Sequence, residues 1–162
     1  MYKTNVENSV LNHSILVMTN ILKQNGDDYI NLFPISINPF QFVFDSDEEL
    51  AKWKKDHKIP STASAEEAFY LFRDKYEIES DDIEEILQIL DIRYAISTAG
   101  YSTTKSITIS PDISRESAVQ LGELGQELTG VNVVQEPIRK YHTGSLASHI
   151  IGYIQKMRKE NL

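Results

Sequence analysis

The apolar positions Val6, Val10, Leu11, Ile15, Met18, Ile21 and Leu22 recur at steps of three and four residues. That period predicts a helix over residues 4–24, stopped by Asn25-Gly26. Residues 32–44 are β-branched and aromatic, and Pro34 and Pro39 break them into short strands. Three helix starts follow in sequence. Ser46-x-x-Glu49 and Ser64-x-x-Glu67 read as capping boxes, and Ser80-Asp-Asp82 as a third start. The faces behind them carry Leu50 and Trp53, then Ala68, Phe69, Leu71, Phe72 and Tyr76, then Ile83, Ile86, Leu87, Leu90 and Ile92.

Past Gly100 the period changes. Ser106-Ile-Thr-Ile-Ser110 alternates polar and apolar, which predicts a half-buried strand closed by Pro111-Asp112. Residues 114–128 predict a helix with Ala118, Val119, Leu121, Leu124 and Leu128 on one side and Gly130 as its stop. Val131–Val134 predicts another strand, and residues 145–153 a short helix or compact turn. The expected class is α+β. A helix-rich head occupies residues 1–98, and a β-α-β segment over 99–162 gives a small mixed sheet with one helix packed on it.

Composition narrows the function. With 41% apolar and 25% charged residues the chain carries enough core to fold. A net charge of −8 lacks the basic face that nucleic acid needs. The excess is local: residues 45–91 hold 15 acidic and 6 basic residues, a balance of −9. Those acids fall in the first turns of three consecutive helices, where the helix dipole favours them, and on solvent faces. No D-x-D-x-D-G calcium loop is present. The absence of cysteine excludes disulfides, thiolate metal sites and a cysteine nucleophile. No apolar run nears the roughly 18 residues that span a bilayer.

One stretch carries the letters of a reaction. In Gly100-Tyr-Ser-Thr-Thr-Lys105, Ser102 and Lys105 have the Ser-x-x-Lys spacing of a lysine-activated serine nucleophile. The pair meets on a helix, where positions three apart are neighbours. The local pattern is that of a strand, which sends the two side chains to opposite faces. Penicillin-recognising transpeptidases and β-lactamases also need Ser-x-Asn and Lys-Thr-Gly. Ser36-Ile-Asn38 and His142-Thr-Gly144 only approximate these, in the wrong order and at separations too short. Ser102 is therefore read as structural, with a free-standing Ser-Lys acyl-transfer enzyme as the competing reading. His13, His57, His142 and His149 form no HExxH or other metal spacing, and neither a cofactor nor a metal is expected. Gly122-x-x-Gly125 lies inside a predicted helix and suggests close packing against a neighbour.

The most specific run is Glu136-Pro-Ile-Arg-Lys-Tyr-His-Thr-Gly-Ser-Leu-Ala-Ser-His-Ile-Ile-Gly-Tyr153. It resembles the R-x-Y-P-x-G-x-x-A-x-H-x-x-G-Y signature of class B penicillin-binding proteins, with Arg139, Tyr141, Gly144, Ala147, His149, Gly152 and Tyr153 in register. The signature closes their N-terminal non-catalytic domain, called the dimerisation or pedestal domain. Residues 105–135 also resemble that domain, as a strand, a helix and the approach to Glu136-Pro137. The head, through stretches such as "WKKDHKIP" and "ASAEEAFYLFRDKYEI", is similar to the helical insert of the penicillin-binding protein 2 type of Gram-positive, clostridial-like bacteria. His142 replaces the usual proline, Gln155 replaces a common glycine, and the family's opening R-G-x-I-x-D-R-x-G motif is missing.

The resemblance implies a non-catalytic scaffold, a segment ending just before a transpeptidase domain. The parent would be anchored at the extracytoplasmic face of the membrane. The signature residues would clamp this domain to its own transpeptidase domain: glycines for close backbone approach, Arg139 for fixed hydrogen bonds, and Tyr141 and Tyr153 as rings with polar tips. Other cell-wall synthesis proteins would dock on the head, through Phe40, Phe42 or Trp53 where these are exposed rather than core. A homodimer is a further possible partner. An unrelated soluble binding module is the remaining reading.

Overall fold

The computed structural model describes residues 7–99 and 106–135. Within them run five helices and one hairpin: α1 (Asn8–Gln24), β1 (Ile35–Ile37), β2 (Phe40–Phe42), α2 (Asp47–Asp56), α3 (Ala65–Lys75), α4 (Ile83–Thr98) and α5 (Arg115–Glu123). The class is α+β, as the sequence predicts.

The helix starts lie where the capping residues put them. Ser46 accepts from the Glu49 amide, and Ser64 and Glu67 form a reciprocal capping box. Asp82 accepts from the Glu84 amide, and Ser114 from the Ser117 amide. The first turns of α2, α3 and α4 carry seven acids between them: Asp47, Glu48, Glu49, Glu66, Glu67, Glu84 and Glu85. The acidic run thus complements three helix dipoles.

Three helices stop in the same way. After α1, Gly26 adopts φ +77° and its amide bonds to the Lys23 carbonyl, while the Asp27 amide reaches back to Leu22. This pairing closes the last carbonyls of a helix with one left-handed residue. Lys58 (φ 59°) does the same after α2, with Ile59 bonding to Lys54. Glu77 (φ 53°) repeats it after α3, with Ile78 bonding to Arg73.

The hairpin pairs Ile35 with Phe42, Ser36 with Gln41 and Ile37 with Phe40, antiparallel, across a turn with a cis Asn38–Pro39 bond. Its inner face lies on α3, where Phe40 meets Phe69 edge-on at 5.4 Å. Phe33 sits among Phe69, Phe72 and Tyr94 at 5.2–6.2 Å. Trp53 stacks on Phe72 at 5.5 Å and its Nε1 donates to the Tyr94 hydroxyl at 3.1 Å. Phe40, Phe42 and Trp53 therefore belong to the core and its margin, the second of the two readings left open for them. His57 lies in the same aromatic group, its Nδ1 2.9 Å from the Trp53 carbonyl oxygen.

α4 crosses the centre. Ile86, Ile89, Leu90, Ile92 and Ala95 are buried, and so are Gln88, Asp91 and Arg93. The helix is covered on nearly all sides, which the one-sided pattern does not predict. The core runs on into the later segment: Ile109, Leu121 and Leu128 pack in the same cluster as Ile15, Leu22 and Phe69.

Two expectations about the later segment change. The strands expected at 106–110 and 131–134 do not join a sheet among the described residues, whose sheet is the β1–β2 hairpin. The alternation itself is present, since Ile107 and Ile109 turn inward while Ser106 and Thr108 are exposed. The helix expected over 114–128 ends at Glu123, and turns carry Gly125 through Leu128. Among the described residues the Gly122-x-x-Gly125 pair forms no packing notch: a methyl group at Gly122 would meet none of them, and one at Gly125 would meet only the backbone of the preceding turn.

Candidate functional site

The residues that the sequence marks most strongly, Arg139, Tyr141, Gly144, Ala147, His149, Gly152 and Tyr153, lie outside the described residues, as do Ser102, Lys105 and His142. What the structure describes is the seam that fastens the segment leading toward that signature onto the helical body.

The seam begins where α1 stops. Because Gly26 turns the chain sharply, the next residue, Asp27, faces the first turn of α5. Its carboxylate accepts from the Ser114 amide at 2.9 Å and the Ser114 hydroxyl at 2.8 Å. Hydrogen bonds from Ser117 and Ser114 hold the Asp27 carboxyl below the usual carboxylate range. Asn25 Nδ2 donates to Ser117 Oγ at 2.9 Å and Gln120 Oε1 at 3.2 Å. Farther along, the Ile30 amide bonds to the Ile109 carbonyl at 2.9 Å, and Ser110 Oγ donates to the Asp28 carbonyl at 2.6 Å. At the far end the Thr129 amide donates to Ser14 Oγ at 3.0 Å. Ser14 is fully buried on α1, so this bond fixes the last described stretch against the middle of that helix.

Beside the seam is an open cleft of about 520 Å³, lined by Lys23, Asp27, Tyr29, Glu84, Gln88 and Asp91. Lys23 Nζ pairs with Glu84 at 3.2 Å on its rim. At its floor Asp91, only 3% exposed, accepts the Phe33 amide at 3.1 Å. Burial pushes the Asp91 carboxyl up to about 7, against the opposing pull of the Phe33 and Leu32 amides. Burial, together with the charge of Asp91, also raises the Tyr29 phenol. Among the described residues no group of His, Asp or Glu side chains has the arrangement of a metal site, and no helix is long and apolar enough to cross a membrane.

Sequence reasoning did not single out Asp27 or Asp91, and marked Asn25 only as part of the α1 stop. For Asp91 a signal was present: Leu87-Gln-Ile-Leu-Asp-Ile-Arg93 puts polar residues between apolar ones that cover more than one helix face. Asp27 carries no such mark, because its partner lies 87 positions away.

A helix-rich α+β body whose polar side chains fasten one segment of the chain to another has the make-up of a structural domain. The family model of the penicillin-binding protein dimerisation domain matches residues 4–162, nearly the whole chain. The chain belongs to that family, and is a non-catalytic domain of a penicillin-binding protein. No curated protein matches it significantly in sequence.

Proposed function

We propose that this domain is the pedestal of a class B, membrane-anchored peptidoglycan transpeptidase of the penicillin-binding protein 2 type from a Gram-positive bacterium. It holds the catalytic domain at a set distance from the membrane, on the extracytoplasmic side. The observation that carries the reading is the family match over residues 4–162. The seam supports it, since a spacer must resist bending between its body and its exit segment. Asp27, Asn25, Ile30, Asp28 and Ser14 tie residues 109–129 to α1 and the coil after it.

In this reading residues 1–98 are the head that meets other cell-wall synthesis proteins or a second copy of the chain. Residues 99–162 lead to the joint, where Arg139, Tyr141, Gly144, Ala147, His149, Gly152 and Tyr153 bear on the transpeptidase domain. The division is one of role, because both parts contribute to one core.

The test uses the parent protein and a fluorescent penicillin. Arg139→Ala in the full-length protein leaves covalent labelling of the catalytic domain intact and abolishes rescue of cells depleted of the wild type. Covalent labelling of the isolated chain at Ser102 would overturn the reading in favour of a Ser-Lys enzyme.

A further inference from the structure

The floor of the cleft poses a physical problem. Asp91 is a carboxylate at 3% exposure, and among the described residues no Lys, Arg or His lies within ion-pair distance of it. A buried carboxylate without a cation is costly unless it takes up a proton or collects strong hydrogen bonds. Asp91 has main-chain amides for partners. The charged and titratable groups that share the cleft are mostly acidic. The coil contributes Asp27, Asp28 and Tyr29, α4 contributes Glu84, and the hairpin contributes only the apolar Ile37. Lys23 of α1, the cation of the cleft, is engaged by Glu84 at 3.2 Å.

The amide that Asp91 holds is well placed to matter. Phe33 ends the coil 27–33 and inserts its ring between Phe72 and Tyr94. The same coil carries the seam: Asp27 to Ser114, the Asp28 carbonyl to Ser110, and the Ile30 amide to Ile109. One carboxylate on α4 therefore anchors the strap from which the later segment hangs.

We propose that Asp91 is a proton-operated latch: protonated, it lets the coil 27–33 close on α4; ionised, its buried charge favours lifting the coil and with it loosens the hold on Ile109 and Ser110. The inference stands independently of the proposed pedestal role. A charged acceptor binds an amide roughly twice as strongly as a neutral one. For Asp91 that gain is smaller than the cost of burying the charge, so ionisation favours lifting the coil packed over it and proton uptake favours closing it. The protonated domain is therefore more stable as a whole and also tighter at the strap. The open cleft gives the proton its path, and the midpoint lies in the neutral range because burial raises the carboxyl.

The experiment is a pH titration of the full isotope-labelled chain by NMR between about pH 5 and 9. The Asp91 side-chain carboxyl signal is expected to titrate near neutrality, with the Phe33 amide proton moving at the same midpoint. Hydrogen-exchange protection of the Phe33 and Ile30 amides, referenced to helix amides of α1, falls about fivefold on the alkaline side, where the buried charge favours opening. Asp91→Asn removes both responses and Asp27→Asn leaves them. If Asp91→Asn does not fold, the wild-type titration decides alone. An Asp91 carboxyl titrating in the ordinary carboxylate range, or a neutral titration that leaves both amides unmoved, overturns the proposal.

Discussion

Arg93 grips Asn12 with both ends of its fork: Nε and Nη2 donate to Asn12 Oδ1 at 2.9 and 2.7 Å. Nη2 also reaches the Asn8 carbonyl at 2.9 Å, while Asn12 Nδ2 donates to the Tyr76 and Glu77 carbonyls at 3.0 and 3.3 Å. A buried cation is thus held by a neutral amide and a carbonyl, and the amide in turn closes the end of α3. Burial lowers the Arg93 pKa, with the nearby Tyr76 and Glu77 opposing it.

Asn12→Ala strips the guanidinium of its main acceptor and is expected to cost about 2–4 kcal/mol, since one partner of a buried charged hydrogen bond is left unsatisfied. Urea denaturation measures it. Replacing both partners, Asn12→Leu with Arg93→Met, removes the stranded charge and costs less than the sum of the single changes.

The two perturbed carboxyls give opposite pH slopes. Asp91 has a raised folded pKa, so its contribution is fully present below the unfolded value of 3.8 and is lost as pH rises through about 7. Thermal scans should show the midpoint rising as pH falls from 8 to 5, on the order of 2–4 kcal/mol in stability. In Asp91→Asn that slope disappears. Asp27 has a lowered pKa, so its contribution is present above 3.8 and lost as pH falls below it. Asp27→Asn therefore flattens only the acid limb.

Lys58 stands exposed at φ 59°, and its side chain makes no hydrogen bond among the described residues. Glycine reaches that conformation without the Cβ clash, so Lys58→Gly is expected to stabilise by about 0.5–1 kcal/mol. Glu77 has the same backbone, but its Oε2 accepts Asn8 Nδ2 at 2.9 Å. Glu77→Gly therefore gains less. A denaturation series on the two variants orders them.

Gly122 lies in α5, and among the described residues none would meet a methyl group there. Gly122→Ala should stabilise by about 0.5–1 kcal/mol, because alanine loses less backbone freedom in a helix. A loss of stability would mean that a neighbour fills that space in solution.

Local chemistry made the helices legible. Ser46, Ser64, Asp82 and Ser114 cap where the spacing places them, and Asn25-Gly26 ends α1. What stayed hidden depends on distant partners. Ile107 and Ile109 alternate like a strand, yet Ile109 is bonded to the coil at Ile30 rather than to a ladder. Trp53 and Phe42 have the composition of docking residues and spend it on each other at 5.9 Å. The seam at Asp27 is invisible to any periodicity, because nothing near it in the chain announces Ser114. The signature from Arg139 to Tyr153 was the most legible stretch as letters, and it lies beyond the described residues.

Asp27 sits where the negative pole of α1 meets the positive pole of α5. The carboxylate closes that circuit from one side and the two serines from the other. The two helix ends are therefore joined through one side chain: without the Asp27 carboxylate the amide end of α5 loses its counter-charge, while the α1 stop, made by the Gly26 and Asp27 amides, remains.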